Sequence, residues 1–319
     1  MKIKSGYKKI LFLASAITAV ILCILPFLAT SKEVIYMYTQ SPEPSSNEKG
    51  VIRELKLLGF NVILNSQSMP EPNTYGLWFT NPDRIQKIEQ SPAKYDFLYT
   101  EVYFPIEWRG IKKQPIILTP YQDLYEHYVR SNIKTAKLQL GINTADFNDN
   151  QSSKQYNIVY YGDNNKPSPV AEYLKQQPQA KFLGAFWNAN DNQVINISIG
   201  NPKARNKTLQ KIKMVITFDE PNSPATKKIP QEVMEATASG ALVFASPNVA
   251  IEKIYHDNVI IYESLEDLTQ KIKNYQNNIS LAKEKALAAE KITLQNISAV
   301  SFALKIKEII NWLKANDSN

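Results

Sequence analysis

Residues 228–246 spell out a helix, the stop that ends it and the strand that follows, an order that few architectures other than a layered α/β sheet accommodate. Pro230 suits the first turn of a helix, Glu232 and Glu235 fall three apart on neighbouring surface, and Gly240 can take the left-handed conformation that closes it. The apolar run 241–245 then reads as a buried strand. A second apolar run at 259–262 leads into a helix start at Ser264, with Glu266 and Asp267 as first-turn charges. In an open α/β sheet, ligands gather at helix N-termini and at the carboxyl ends of strands, so a carboxylate in such a unit can meet a ligand hydroxyl.

The same alternation runs through the rest of the chain. A strand at 34–38, a Pro-, Ser- and Glu-rich loop at 40–49, a helical spacing at 51–58 closed by Gly59 and a strand at 61–64 make a β-α-β unit. Strand-like runs follow at 76–79, 97–99 and 115–118, with a helix at 124–130. The first unit lacks the glycine-rich turn of a dinucleotide fingerprint, which argues against a Rossmann oxidoreductase. The polar stretch 148–155 reads as an interdomain linker. Beyond it come a strand at 156–161, a turn carrying Gly162 and Lys166, a helix at 170–176 and strands at 181–186 and 214–218. A strand, a glycine turn and a helix can receive phosphate through backbone amides and the helix dipole, which makes Gly162 and Lys166 candidate diphosphate contacts. Residues 281–313 carry the pattern of a long or broken helical pair.

From about residue 95 to 275 the chain resembles the CgeB-like, spore-maturation branch of the GT-B glycosyltransferases of the group 1 type. That branch carries a late Pro-x-Arg-x-x-Glu-x-x-x-x-Gly motif, and here the corresponding residues are Pro230, Glu232, Glu235 and Gly240. The segment 138–147 resembles the end of that family's acceptor domain, with Asn143 where an aspartate is common. The resemblance implies two Rossmann-like doubly wound domains, a nucleotide sugar bound as substrate with no cofactor and no obligatory metal, and a glycan or other acceptor. It implies donor-binding positions at Glu235, Gly240 and Glu232, beside the Gly162 and Lys166 of the strand–turn–helix unit, with no catalytic residue assigned. Glu232 stands at the family's arginine position. A carboxylate beside a diphosphate costs roughly 1 kcal/mol or more even at a high effective dielectric, so Lys166, Lys227 or Lys228 would have to compensate.

The N-terminus adds a different expectation. Lys2, Lys4, Lys8 and Lys9 precede an almost uninterrupted apolar run at 10–29, which matches the roughly 20 residues a helix needs to cross a bilayer. A cleaved secretory signal has a shorter apolar core, although Ala29, Thr30 and Ser31 would suit a peptidase; we read the run as an uncleaved signal anchor. Positive charge on the leading flank predicts that end in the cytoplasm, in a single-pass arrangement with the remainder across the membrane; an inverted or monotopic insertion is the alternative. The expected layout is therefore an anchor at 1–31, an acceptor domain at 32–150, a nucleotide-sugar domain at 151–280 and C-terminal helices at 281–319.

Four of the seven net positive charges belong to the leading lysines, so the rest of the chain is only mildly basic and offers no clustered stripe for nucleic acid. Cys23 is the only cysteine and lies in the apolar run, which excludes an intrachain disulfide and a cysteine-based zinc site. His127 and His256 are far apart and give no ligand spacing; a surface or cap role suits both. Trp78, Phe79, Tyr103, Phe104, Trp108 and Tyr121 can stack on a sugar acceptor or pack a core. The expected function is a membrane-anchored glycosyltransferase. The alternative is a catalytically inactive GT-B-like scaffold or glycan-binding protein.

Overall fold

The computed structural model describes residues 32–79, 85–101, 113–165, 168–198, 200–220 and 227–317. The apolar run 10–29, Cys23, Tyr103, Phe104, Trp108 and Lys166 lie outside the described residues. Among the described residues no helix is long and apolar enough to cross a membrane.

Two parallel sheets are built in the same order. In the first, β1 (Val34–Tyr38), β2 (Asn61–Leu64), β3 (Tyr75–Phe79), β4 (Tyr95–Tyr99), β5 (Ile116–Thr119) and β6 (Thr135–Lys137) lie in the order β2-β1-β3-β4-β5-β6. In the second, β7 (Tyr156–Tyr161), β8 (Ala180–Leu183), β9 (Ile212–Thr217), β10 (Leu242–Ala245) and β11 (Ile260–Ile261) lie in the order β8-β7-β9-β10-β11. In each sheet the order reverses beside the first strand, which places a crevice at the carboxyl ends of the strands. Buried on both faces, the central strands read as apolar runs, and this is why the sequence reveals them.

The helix after β1, α1 (Ser46–Leu57), begins five residues before the expected start. Ser45 and Glu48 form a capping box there: the Ser45 hydroxyl accepts from the Glu48 amide and the Glu48 carboxylate accepts from the Ser45 amide. Next come α2 (Ile85–Glu89) and α3 (Gln122–Arg130) in the first domain, and α4 (Pro169–Lys175), α5 (Pro202–Leu209), α6 (Gln231–Ala238) and α7 (Val249–Tyr255) in the second. The segment 148–155 is a fixed connection: Gln210 donates to the Asn148 carbonyl at 2.6 Å and Lys154 to the Gly240 carbonyl at 3.0 Å.

The helix expected after Ser264 is α8 (Leu265–Asn277), and the C-terminal pattern resolves into the pair α9 (Ile279–Asn296) and α10 (Ala299–Asp317). Helix α9 packs on α6 in the second domain, whereas α10 crosses to the first and packs on α1. Phe302, Ile306, Ile310 and Leu313 of α10 complete the core that Leu77, Phe97 and Leu118 supply from the first sheet. Gly50 allows this approach, because a Cβ there would come within 2.7 Å of the Ala299 Cβ. The first domain is thus completed by the last helix.

Candidate functional site

The carboxyl ends of both sheets face a cleft of about 630 Å³ between the domains. The first domain contributes Ser45 and Ser46 at the start of α1, Phe79 and Tyr99 at the ends of β3 and β4, and Glu101. The second contributes Pro202 and Arg205 from α5, Lys228, and Gln231 and Met234 from α6. Three helix N-termini therefore reach the cleft, each presenting backbone donors and the positive end of a dipole. Ser45 caps α1 and Asn201 caps α5, whereas Pro230 precedes α6 with no side-chain cap hydrogen bond.

Glu235 is sealed beneath this floor, with no solvent exposure. Arg205 Nε and Nη2 donate to Glu235 Oε2 and Oε1 at 3.0 and 2.8 Å, the Tyr161 hydroxyl donates to Oε2 at 2.6 Å and Gln231 Nε2 to Oε1 at 2.7 Å. A carboxylate has about four acceptor positions, and four donors occupy them. Burial, then Glu235, pushes the Tyr161 hydroxyl well above its usual value. Burial pulls on the Arg205 guanidinium in the opposite sense to Glu235, and the pair leaves it raised and charged. Phe147 stacks under the guanidinium, 5.6 Å from its ring centre. Glu235 fixes Arg205, and Arg205 is the member of the pair that lines the cleft.

Across the cleft, Lys228 Nζ reaches Glu101 Oε2 at 2.6 Å and the Tyr99 hydroxyl donates to Glu101 Oε1 at 2.9 Å. Burial lowers the Lys228 ammonium, but Glu101 outweighs it and the net shift is upward. Burial, then Glu101, holds the Tyr99 phenol well above its usual range. A paired carboxylate and ammonium thus stand at the junction of the two domains.

The remaining expected site residues are dispersed. Glu232 is half-buried in the first turn of α6 but does not line the cleft. The Gly162 amide is already used, donating to the Leu183 carbonyl at 2.9 Å, and its carbonyl accepts from Trp187 Nε1 at 2.7 Å. Gly240 takes its left-handed turn, with φ at +71°, at the far end of α6, where a Cβ would strike the Asp149 carboxylate. It closes the helix away from the cleft. Lys227 pairs with Asp123 at 2.9 Å outside the cleft lining, which leaves Lys228 as the cleft cation among the compensating lysines that are described. Trp78 and Tyr121 are core residues, while Phe79, also buried, reaches the cleft wall. His127 lies in the last turn of α3 and His256 at the end of α7. Among the described residues no group of three or more His, Cys, Asp and Glu could hold a metal.

Arg205 and Glu101 were missed from the sequence. Arg205 had a signal: Asn201-Pro202 is a cap followed by proline at the first helical position, which marks a helix whose first turns hold Arg205. Glu101 had only its place just beyond an apolar run.

Two parallel-sheet domains with a cleft at their strand ends and a last helix returning to the first domain define the GT-B class of fold. Residues 168–307 match a family described as glycosyl transferase-like. Solved structures share the fold at low identity. The Anabaena protein Alr3699/HepE in complex with UDP-glucose is 12% identical, with a TM-score of 0.56, over 87% of this chain and 99% of that one. Sucrose-phosphate synthase from Thermosynechococcus elongatus is 11% identical, with a TM-score of 0.62, over 89% and 100%. An α1,3-fucosyltransferase with GDP is 12% identical, with a TM-score of 0.57, over 91% and 92%. No curated protein matches the chain.

Proposed function

We propose that the protein transfers a sugar from a nucleotide sugar, held by the second domain, to a glycan or other acceptor entering from the first. The observation that carries this reading is the cleft itself: the α6 N-terminus, Arg205 and Lys228 converge at the strand ends of a domain that matches a glycosyl transferase-like family. The neighbours crystallised with UDP-glucose and GDP support a nucleotide-linked donor.

In this reading the leaving diphosphate takes first-turn amides of α6 and the charges of Arg205 and Lys228, a preorganised field that needs no reorganisation during transfer. Glu235 acts one layer back by holding Arg205. Glu101 is the carboxylate facing an acceptor hydroxyl. The finer assignment to the CgeB-like branch rests on Pro230, Glu235 and Gly240. Residues 10–29 would anchor the chain in a membrane as a single pass, with the N-terminus cytoplasmic.

Calorimetric titration with UDP- and GDP-sugars tests the donor site. Binding that Lys228→Gln weakens by about 1–3 kcal/mol, the scale for losing a charged hydrogen-bond partner, is the expected result. Failure to bind any nucleotide sugar would leave the second reading, a GT-B-like scaffold or glycan-binding protein. Glu232 at the family's arginine position favours that reading, as does the predicted export of the domains away from a cytoplasmic donor supply.

A further inference from the structure

The end of the first domain opposite the cleft gathers features that sugar transfer does not use. At the amino ends of the strands, Glu33 pairs with Lys314, and Asp317 pairs with Lys94 at 2.8 Å and accepts from the Tyr95 hydroxyl. Lys134 also acts on Asp317, so lysines from three parts of the chain converge at this base. Two large apolar side chains lie exposed at the same end: Leu57, 74% exposed at the close of α1, and Trp312, 58% exposed in the last turns of α10. The two helices run side by side here, with Lys307 Nζ donating to the Leu58 carbonyl. Neither the fold nor the cleft requires a tryptophan in water at this place.

The chain itself says what lies below. The apolar run ends at residue 29 and β1 begins at Val34, next to the Glu33–Lys314 pair. The four residues between them span at most roughly 14 Å when fully extended. The headgroup layer of a bilayer is about 5–7 Å thick on each side, so a membrane-embedded run brings the base of the first domain to the lipid surface. Trp312 sits five residues, roughly 8 Å along the helix, from Asp317 at that base. A tryptophan there has the amphipathic ring that interfacial positions favour, and the lysines at 94, 134 and 314 outnumber their partners Glu33 and Asp317, a balance that favours anionic headgroups.

We infer that the base of the first domain, with Trp312, Leu57 and the lysines at 94, 134 and 314, docks on the surface of a bilayer containing anionic phospholipid. The inference rests on membrane anchoring by residues 10–29 but not on sugar transfer. Docking turns the amino ends of the strands toward the lipid and the cleft away from it, one strand length above the headgroups.

Tryptophan quenching in proteoliposomes of the full-length protein tests the surface, with one-quarter anionic phospholipid and brominated acyl chains. The chain has four tryptophans, so the difference between wild type and Trp312→Phe isolates the one of interest. Trp312 is exposed, and its replacement leaves the core intact. The expected result is that brominated lipid quenches the Trp312 component at least twofold relative to unbrominated lipid, and that replacing the anionic lipid by a zwitterionic one reduces the quenching. A carbonate-resistant membrane protein whose Trp312 component is not quenched overturns the docking and leaves the anchor standing. A chain released by carbonate overturns both, and equal quenching in zwitterionic vesicles overturns the headgroup preference. The triple change Lys94→Gln, Lys134→Gln, Lys314→Gln should likewise reduce the quenching; an unchanged value in that protein, with its fold verified by circular dichroism, counts against the lysines. Nucleotide-sugar titration reports separately on the cleft.

Discussion

A carboxylate sealed from solvent survives as a charge only if its partners replace the water it has lost, and Glu235 has such partners in Arg205, Tyr161 and Gln231. Removing one side of a buried ion pair leaves the other uncompensated, at a cost of about 3–5 kcal/mol. Arg205→Ala should therefore lower the unfolding free energy by that amount, read as a lower urea midpoint, as well as weaken donor binding. The combined change Arg205→Met, Tyr161→Phe, Glu235→Leu should recover most of the stability, because apolar residues of similar volume replace buried ion pairs with little or no loss. It should not recover nucleotide-sugar affinity. A stability unchanged by Arg205→Ala would show that the pair is not the support we describe. The spacing of Glu235 from Pro230 was legible in the sequence, but its depth was not. Arg205 and Tyr161 stand 30 and 74 positions away, and only the packing of α5, α6 and β7 brings them to it.

At the scale of elements, α10 does more than close the chain. Phe302 lies 5.8 Å from Phe79 and 5.6 Å from Tyr99, ring centre to ring centre, and both of those rings line the cleft. Its loss should cost about 3–5 kcal/mol, the range for a buried phenylalanine cut to alanine, and should also slacken the wall on the acceptor side. Phe302→Ala is expected to raise the KM for acceptor more than for donor, while Phe302→Leu, closer in volume, should lose less than about 1.5 kcal/mol. Denaturant unfolding and initial-rate kinetics check the two halves; an equal rise in both KM values would sever Phe302 from the acceptor wall. The central strands were legible because burial on both faces makes them short apolar runs. Helix α5 was not, since lysine, arginine, asparagine and threonine dominate it and its caps, rather than its periodicity, mark it. The early start of α1 was written in Ser45 and Glu48, a local signal that the apolar spacing at 51–58 overshadowed. The two-residue β11 and the three-residue β6 close the edges of their sheets, where length gives little pattern to read.

For the whole molecule, the question is what holds two domains around one cleft. Among the described residues the ion pairs Lys228–Glu101 and Lys227–Asp123 cross the boundary, the second more than two-fifths exposed on both sides. Exposed pairs contribute about 0–1 kcal/mol each. Phe302, Ile306, Ile310 and Leu313 each bury a large apolar side chain in the first domain's core, an upper estimate of roughly 6–12 kcal/mol together. The helix, which is covalently continuous with α9 on the second domain, therefore governs the arrangement. Ending the chain before Ala299 should expose the first sheet and cause its amides to exchange at nearly unfolded rates, whereas Lys227→Gln with Lys228→Gln should leave exchange in both sheets unchanged within about 1 kcal/mol. Lys228 is expected to act on donor affinity instead, and pH gives the sign. The Lys228 ammonium is raised above its ordinary 10.5, so its contribution is fully present below that value and disappears only as pH climbs through the higher folded one. Donor affinity should thus carry no step from Lys228 between about pH 6 and 9. A loss of donor affinity beginning above pH 10, absent in Lys228→Gln, is the result that ties the cleft cation to the ligand; a profile unchanged by that substitution removes Lys228 from the donor site.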